Sequence, residues 1–392
     1  MAGGECLTLA YKFFIHFILP MTASTNPIWE RIKSRVFIVA EIGKNFIQTE
    51  AEQPVEVYLE RAKELVAAAH AAGADAVKFQ THEVEDEVLN IEFDSPHFKG
   101  KNRYAWVKRN TEATPIETFW RPLKAYCDEL GVVFFSTPMS RGAARKLQQL
   151  GQPVWKVASS DILDFVLLDY LASTGKPIFL PTGMSTLEDV DRSVAFLREK
   201  KAMFVLMHAI STYPYPPEQS NLRTIYALRS RYPDVPVGFS QNSPWVEPAI
   251  AAAAMGISLL EQHFTLDRNL FGPDHKVSMV PEEMSRMIIG IRELESHPEK
   301  RDEILAAAGP YLGTEEKILQ ESEQAFRPLF RKSLMAGADI PAGTVITADL
   351  LYAMRPQQFA GGLPSEEYPN VLGKTAKIDL KKFDPVTWEV LA

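Results

Sequence analysis

Residues 235–276 read VPVGFSQNSPWVEPAIAAAAMGISLLEQHFTLDRNLFGPDHK, and two short apolar runs within them, 235–239 and 258–261, decide how the chain is read. Each run stops abruptly in polar residues, Ser240-Gln241-Asn242 in the first case and Gln262-His263 in the second. An uninterrupted apolar run of this length is the pattern of a strand covered on both faces. Polar residues gathered just past such strands are how a site is built at strand ends.

The same unit recurs upstream. Apolar runs at 36–41, 75–79, 132–136, 154–157, 177–180 and 204–207 read as six more strands, each followed by a helical stretch. Val55, Leu59, Ala62, Val66 and Ala69 recur at helical spacing, with Gly73 where the helix would stop. Capping boxes are expected at Thr114/Glu117, with Pro115 at the first helical position, and at Ser185/Glu188. The last helix starts at Pro281 and presents Met284, Met287, Ile288, Ile291 and Leu294 on one face. Eight strands alternating with eight helices over about 260 residues predict an α/β fold of the (β/α)8 TIM barrel type.

The chain is expected to divide into an N-terminal extension at 1–33, the barrel at 34–296, a charged linker at 297–326 and a small β-rich domain at 327–392. A domain of that last size is marginal alone and has to lean on something. Residues 83–113, rich in charge and aromatics, make too long a connection for a simple loop and read as a lid or a surface insertion.

The 392 residues are 46% hydrophobic and 23% charged, an ordinary globular composition. A net charge of −8 argues against a nucleic-acid partner, which needs a basic face. Cys6 and Cys127 stand far apart and outside any metal-ligand spacing, so a reducing, cytoplasmic setting is expected. The apolar segment 7–23 lacks a basic n-region and is interrupted by Lys12 and His16, so neither secretion nor a membrane span is expected of it.

Strand-end positions, read in order, supply Glu41, Gly43 and Asn45; Lys78, Gln80 and His82; Thr137; and Lys156, Ser159, Ser160 and Asp161. The later strands add Thr182 and Gly183, Ser211 and Tyr213, Ser240 and Asn242, and His263 and Thr265. Two lysines among hydroxyls suit a small phosphorylated or carboxylated anion. Internal pairing of Lys78 and Lys156 with Glu41 and Asp161 is the competing reading. His208, before the end of its strand, reads as core.

AEIGKN (40–45), VKFQTH (77–82), FFSTPMS (134–140), WKVASSD (155–161), GKPIFLPTGMST (175–186), STYPYPPE (211–218) and LEQHFTLD…GPDHKVS (260–278) resemble, in order and spacing, the sialic acid (N-acetylneuraminate) synthase family. The tail, DIPAGTVIT…RP around Arg355, resembles that family's antifreeze-like (SAF) domain. The resemblance implies condensation of phosphoenolpyruvate with an N-acetylated aminosugar to give a nine-carbon 2-keto sugar acid and phosphate. It assigns Lys78, Thr137, Lys156, Ser159, Ser211 and Ser240 to phosphoenolpyruvate, Glu41 and Asp161 to catalysis, and Gln80, Tyr213, Asp274 and Arg355 to the sugar. It also implies a homodimer in which the SAF domain of one subunit caps its partner's barrel, and a divalent metal, Mn2+ or Mg2+, held after the seventh and eighth strands.

Three positions depart from the family pattern. His263 matches one metal histidine, but Asn242 stands where the other belongs; Phe46 replaces a histidine, and Ser211 takes a position that is Asn in some members. The departures keep two further readings open: a barrel with another acceptor or metal-independent chemistry, and a non-catalytic ligand-binding relative.

Overall fold

The computed structural model describes residues 26–92 and 102–392, so the segment 7–23 and part of the 83–113 excursion lie outside the described residues. Eight parallel strands form the barrel: β1 (Phe37–Gly43), β2 (Ala76–Thr81), β3 (Val133–Pro138), β4 (Trp155–Lys156), β5 (Ile178–Pro181), β6 (Phe204–Ala209), β7 (Val237–Gln241) and β8 (Leu259–His263). They run in the order β3-β2-β1-β8-β7-β6-β5-β4, which leaves β3 and β4 to close the ring. Gln152, fully buried, bridges that seam with its side chain. Its Oε1 accepts from Ser136 N at 3.0 Å, and its Nε2 donates to Ser136 O at 3.2 Å and Val154 O at 3.0 Å. One amide thus satisfies backbone groups that a strand ladder would otherwise pair.

Period-two alternation sorts each strand into two faces. Ile38, Ala40 and Ile42 join the large core under the helices, while Phe37 and Val39 pack inside the ring with Ala76, Phe135, Val154, Phe179, Val205, Met207 and Leu259. The lower barrel is filled with apolar side chains. Continuing the inward parity upward reaches Glu41, Lys78, Thr137, Lys156, Ser240, Glu261 and His263, so the upper barrel is polar.

Part of the expected N-terminal extension has a definite place. The helix Pro27–Ser34 seals the bottom of the ring with Ile28 and Ile32. Asn26 caps it, accepting from Ile28 N and Trp29 N. The buried carboxylate of Asp75 binds Arg31, Arg35 and Arg292 there, at 2.6, 2.6 and 2.8 Å.

The expected boxes shift. The helix Leu187–Glu199 is capped by Thr186 with Asp189, one residue beyond the expected pair. Thr114 donates back to Asn110 O, closing the preceding helix Arg103–Ala113, and a wide turn at Ile116–Trp120 leads into Arg121–Leu130. The last barrel helix, Pro281–Ser296, buries the five residues expected of it.

The tail domain holds one antiparallel pair, β9 (Ser333–Ala336) with β10 (Leu351–Met354), tied together otherwise by isolated bridges. It sits on the mouth of its own barrel, where Arg141 donates to Ala348 O and Leu351 O, and Ser365 Oγ donates to Leu163 O. Within the single chain, the tail domain occupies the place over the barrel mouth that the resemblance gives to a partner's tail.

Candidate active site

Inside the upper barrel, strand register sets the pairs: Glu41 lies opposite Lys78 and His263, Gln80 opposite Thr137, and Ser240 opposite Glu261. Lys78 Nζ is 2.8 Å from Glu41 Oε2, 3.6 Å from Glu261 Oε1, and donates to Thr137 Oγ1 at 3.0 Å. Lys156 Nζ lies 3.4 Å from Glu261 Oε1, which also accepts from Ser240 Oγ at 3.1 Å. All of these residues are buried except Gln80, which is half-buried. Lys156 therefore pairs with Glu261, and Asp161 is bound elsewhere.

The result is a four-charge cluster, two ammoniums facing two carboxylates. Burial raises the Glu41 carboxyl despite Lys78 beside it. Burial also works to raise Glu261, but Lys156 and Lys78 prevail and hold it low. Lys156 is drawn down to about 8 by burial, against the pull of Glu261. Burial acts the same way on Lys78, yet two carboxylates outweigh it and raise the group.

At the rim, a Cβ on Gly183 would collide with Ser211 Oγ and come within 2.8 Å of Ser159 Oγ, so only glycine lets these hydroxyls converge. Above them Glu323, from the linker and fully buried, accepts from Met184 N at 2.9 Å and Ser211 N at 2.7 Å. On the other side, Gly43 (φ +55°) is ringed by Glu41 Oε1, Gln80 Nε2 and Asp274 Oδ2, which lie 3.1, 3.2 and 3.4 Å from where its Cβ would be. Gln80 Nε2 also donates to Glu41 Oε1 at 2.9 Å. Tyr213 sets its ring edgewise to His263, centroids 6.1 Å apart.

The roof comes from the tail domain. Arg355 Nη2 donates to Asp161 Oδ1 at 2.5 Å, and Lys332 Nζ bridges Asp161 at 3.5 Å and Asp164 at 2.7 Å, all of them buried. The Arg355 backbone pairs with Glu87 O and Leu89 N, joining the roof to the excursion. There the imidazole of His82 donates from Nδ1 to Glu87 Oε2 at 2.6 Å. Lys44 places its ammonium 3.8 Å from the centroid of the Trp106 ring, on the helix Arg103–Ala113.

The fourteen residues expected at the site thus fall into three adjoining layers: Glu41, Lys78, Gln80, Thr137, Lys156, Ser240 and His263 within the barrel, Ser159, Ser211, Tyr213, Asn242 and Asp274 at the rim, and Asp161 and Arg355 under the roof. Three groups escape the sequence reading. Glu261 reads there only as the end of its strand, although inward parity from Leu259 points to it. Lys44 and Glu323 carry no periodic signal. Phe46 packs against Tyr58, Phe79 and Phe119 in the outer core, so its exchange for histidine does not face the mouth. His208, stacked on Phe239 and bonded to Ser220 O, is core as expected.

A divalent metal finds a thin donor set. The Asn242 amide donates to Ile210 O at 2.7 Å, and Glu41 is engaged by Lys78 and Gln80, which leaves His263 as the strong donor. Among the described residues, no three His, Cys, Asp or Glu side chains converge as a metal's ligands would. These residues do not fit a resident divalent cation.

Comparison with known proteins matches residues 65–302 to the NeuB family and 331–392 to the SAF domain. The chain is 30% identical over 365 residues to N-acetylneuraminate-9-phosphate synthase of Mus musculus, covering 92% of this chain and 94% of that protein. It is 29% identical to N,N'-diacetyllegionaminic acid synthase of Legionella pneumophila, covering 90% and 94%. Among solved structures, spore coat polysaccharide biosynthesis protein spsE of Bacillus subtilis superposes with a TM-score of 0.73 at 30% identity, over 91% of this chain and 95% of that one.

Proposed function

The chain belongs to the NeuB family and is an enzyme with a C-terminal SAF domain, and from that premise we propose that it condenses phosphoenolpyruvate with an N-acetylated aminosugar aldehyde, giving a sialic-acid-like 2-keto sugar acid and phosphate. The observation that carries this reading is the buried pair Lys78 and Lys156, ringed by hydroxyls, beside a cup of Glu41, Gln80 and Asp274. A doubly anionic small molecule fits the first; a polyhydroxylated one fits the second.

In this scheme Lys78 and Lys156, with Thr137, Ser159, Ser211 and Ser240, hold the phosphate and carboxylate of phosphoenolpyruvate. The incoming anion takes the place of Glu261 as their countercharge. Gln80, Tyr213 and Asp274 hold the acceptor with its aldehyde facing the enol, and the roof, through Arg355 on Asp161, shuts out bulk solvent while leaving room for the one reacting water. The enol carbon attacks the aldehyde, and water adds to the neighbouring carbon. Glu41, its carboxyl raised by burial, is matched to moving that water's proton. No step runs through a metal, because the donor set does not fit one. No helix among the described residues is long and apolar enough to cross a membrane, and a cytoplasmic biosynthetic role is part of this proposal.

What varies among the relatives is the acceptor. Those named above make different sugar acids, and the acceptor end of the site is bounded by the excursion that holds Lys44, Glu87 and Trp106 together. A panel of N-acetylated hexoses, free and phosphorylated, tests the reading: phosphate release from phosphoenolpyruvate should require one of them. Release that is independent of any acceptor, or none at all, contradicts it.

A further inference from the structure

When an enol carbon attacks an aldehyde, the aldehyde oxygen takes on a full negative charge, and something positive must face it. The donor set after the seventh and eighth strands does not fit a divalent cation. A cation carried by the chain itself stands nearby. Lys44 directly follows Gly43, the residue ringed by Glu41, Gln80 and Asp274. Its ammonium rests on the face of Trp106, at 3.8 Å from the centroid, so the helix Arg103–Ala113 closes over it. The charged groups that face it are Glu41 from β1, Glu87 from the turn Val84–Glu87, Arg103 from the overlying helix, and Asp274.

Resting on the condensation reading above, we propose that Lys44 is the general acid for the acceptor aldehyde and does the work that a divalent cation would otherwise do. The electron pair of the enol forms the new carbon–carbon bond. The aldehyde π pair moves onto oxygen, which takes a proton from the Lys44 ammonium and becomes a hydroxyl. Water adds to the cationic carbon left behind and gives up a proton to Glu41. The carbon–oxygen bond to phosphate then breaks as the remaining hydroxyl proton passes to the departing phosphate, leaving the ketone; Lys44 regains its proton from solvent and Glu41 gives its own up to solvent. Burial lowers Lys44 to about 7, against the pull of Glu87 and Asp274, which suits a group that must give and recover a proton near neutral pH.

The bland alternative is that Lys44 only clamps Trp106. Steady-state kinetics with and without EDTA, on wild type, Lys44→Met and Lys44→Arg, separate the two, with Mn2+ binding followed by electron paramagnetic resonance. The wild type should keep its activity in EDTA and bind no Mn2+ at micromolar concentration. Lys44→Met should lower kcat by about 10²–10⁴-fold with KM for phosphoenolpyruvate unchanged. Lys44→Arg keeps the charge and the ring contact, and should lose the fall in kcat that the wild type shows above neutral pH. Unchanged kcat in Lys44→Met, or wild-type activity abolished by EDTA together with tight Mn2+ binding, overturns the role of Lys44 and leaves condensation standing. Absence of phosphate release from the wild type with every acceptor overturns condensation, and this role falls with it.

Discussion

His82 and Glu87 show how a single buried pair writes itself into the pH dependence of the fold. Burial lowers His82 to about 4 from 6.5. Burial pushes Glu87 up, but His82, Arg355 and Arg103 outweigh it and hold it at about 2, against 4.5 unperturbed. Both folded values lie below the unfolded ones, so the unfolded chain binds more protons between about pH 6.5 and about pH 2, and stability falls as pH falls through that window. Between pH 7 and pH 5 the His82 share is about 2 kcal/mol. Urea denaturation at the two pH values should show that loss in the wild type and a smaller one in His82→Gln; equal losses would mean that His82 is not held neutral. Single residues also differ in how plainly their sequence context declares a role. Lys78, Lys156 and Glu41 are legible because charged residues inside apolar strands have no folding reason to be there. The partner of Lys156 is not, because Asp161 lies past its strand end and is claimed by Arg355 and Lys332, far away in sequence.

At the scale of elements, the eight barrel strands are readable because burial makes most of their residues apolar, with the charged and polar ones gathered toward their upper ends. Caps are harder: Ser185 and Thr186 are both capping residues, and only the backbone decides that Thr186 bonds Asp189. The β-rich texture of the tail resolves into one ladder and a set of isolated bridges, since turn-flanked apolar pairs look alike in either arrangement. The linker hides most. Glu323 sits in a charged stretch that reads as a solvated surface, yet it is buried against two backbone amides at the rim. Gln152 is equally silent, an amide in a short connection that stitches the barrel seam. Long-range roles of this kind leave no periodic trace.

At the scale of the molecule, the barrel mouth is finished by the chain's own tail, with Arg355 on Asp161 and Arg331 on Met184 O. The family resemblance implies a cap lent by a partner, and mixing two inactive proteins distinguishes these arrangements. Lys78→Ala spoils only a barrel and Arg355→Ala only a tail. With the cap supplied within the chain, co-refolding the two variants restores no activity; substantial recovery would show that the tail crosses to a second barrel. The central claim, carbon–carbon bond formation from phosphoenolpyruvate, is tested most directly by isotope. Phosphoenolpyruvate labelled with ¹³C at its methylene carbon is incubated with the enzyme and an N-acetylated hexose labelled with ¹³C at its aldehyde carbon. Condensation predicts a product whose two labels are directly bonded and show one-bond ¹³C–¹³C coupling by NMR. Labels that remain on separate molecules, as pyruvate and unchanged sugar, would contradict it.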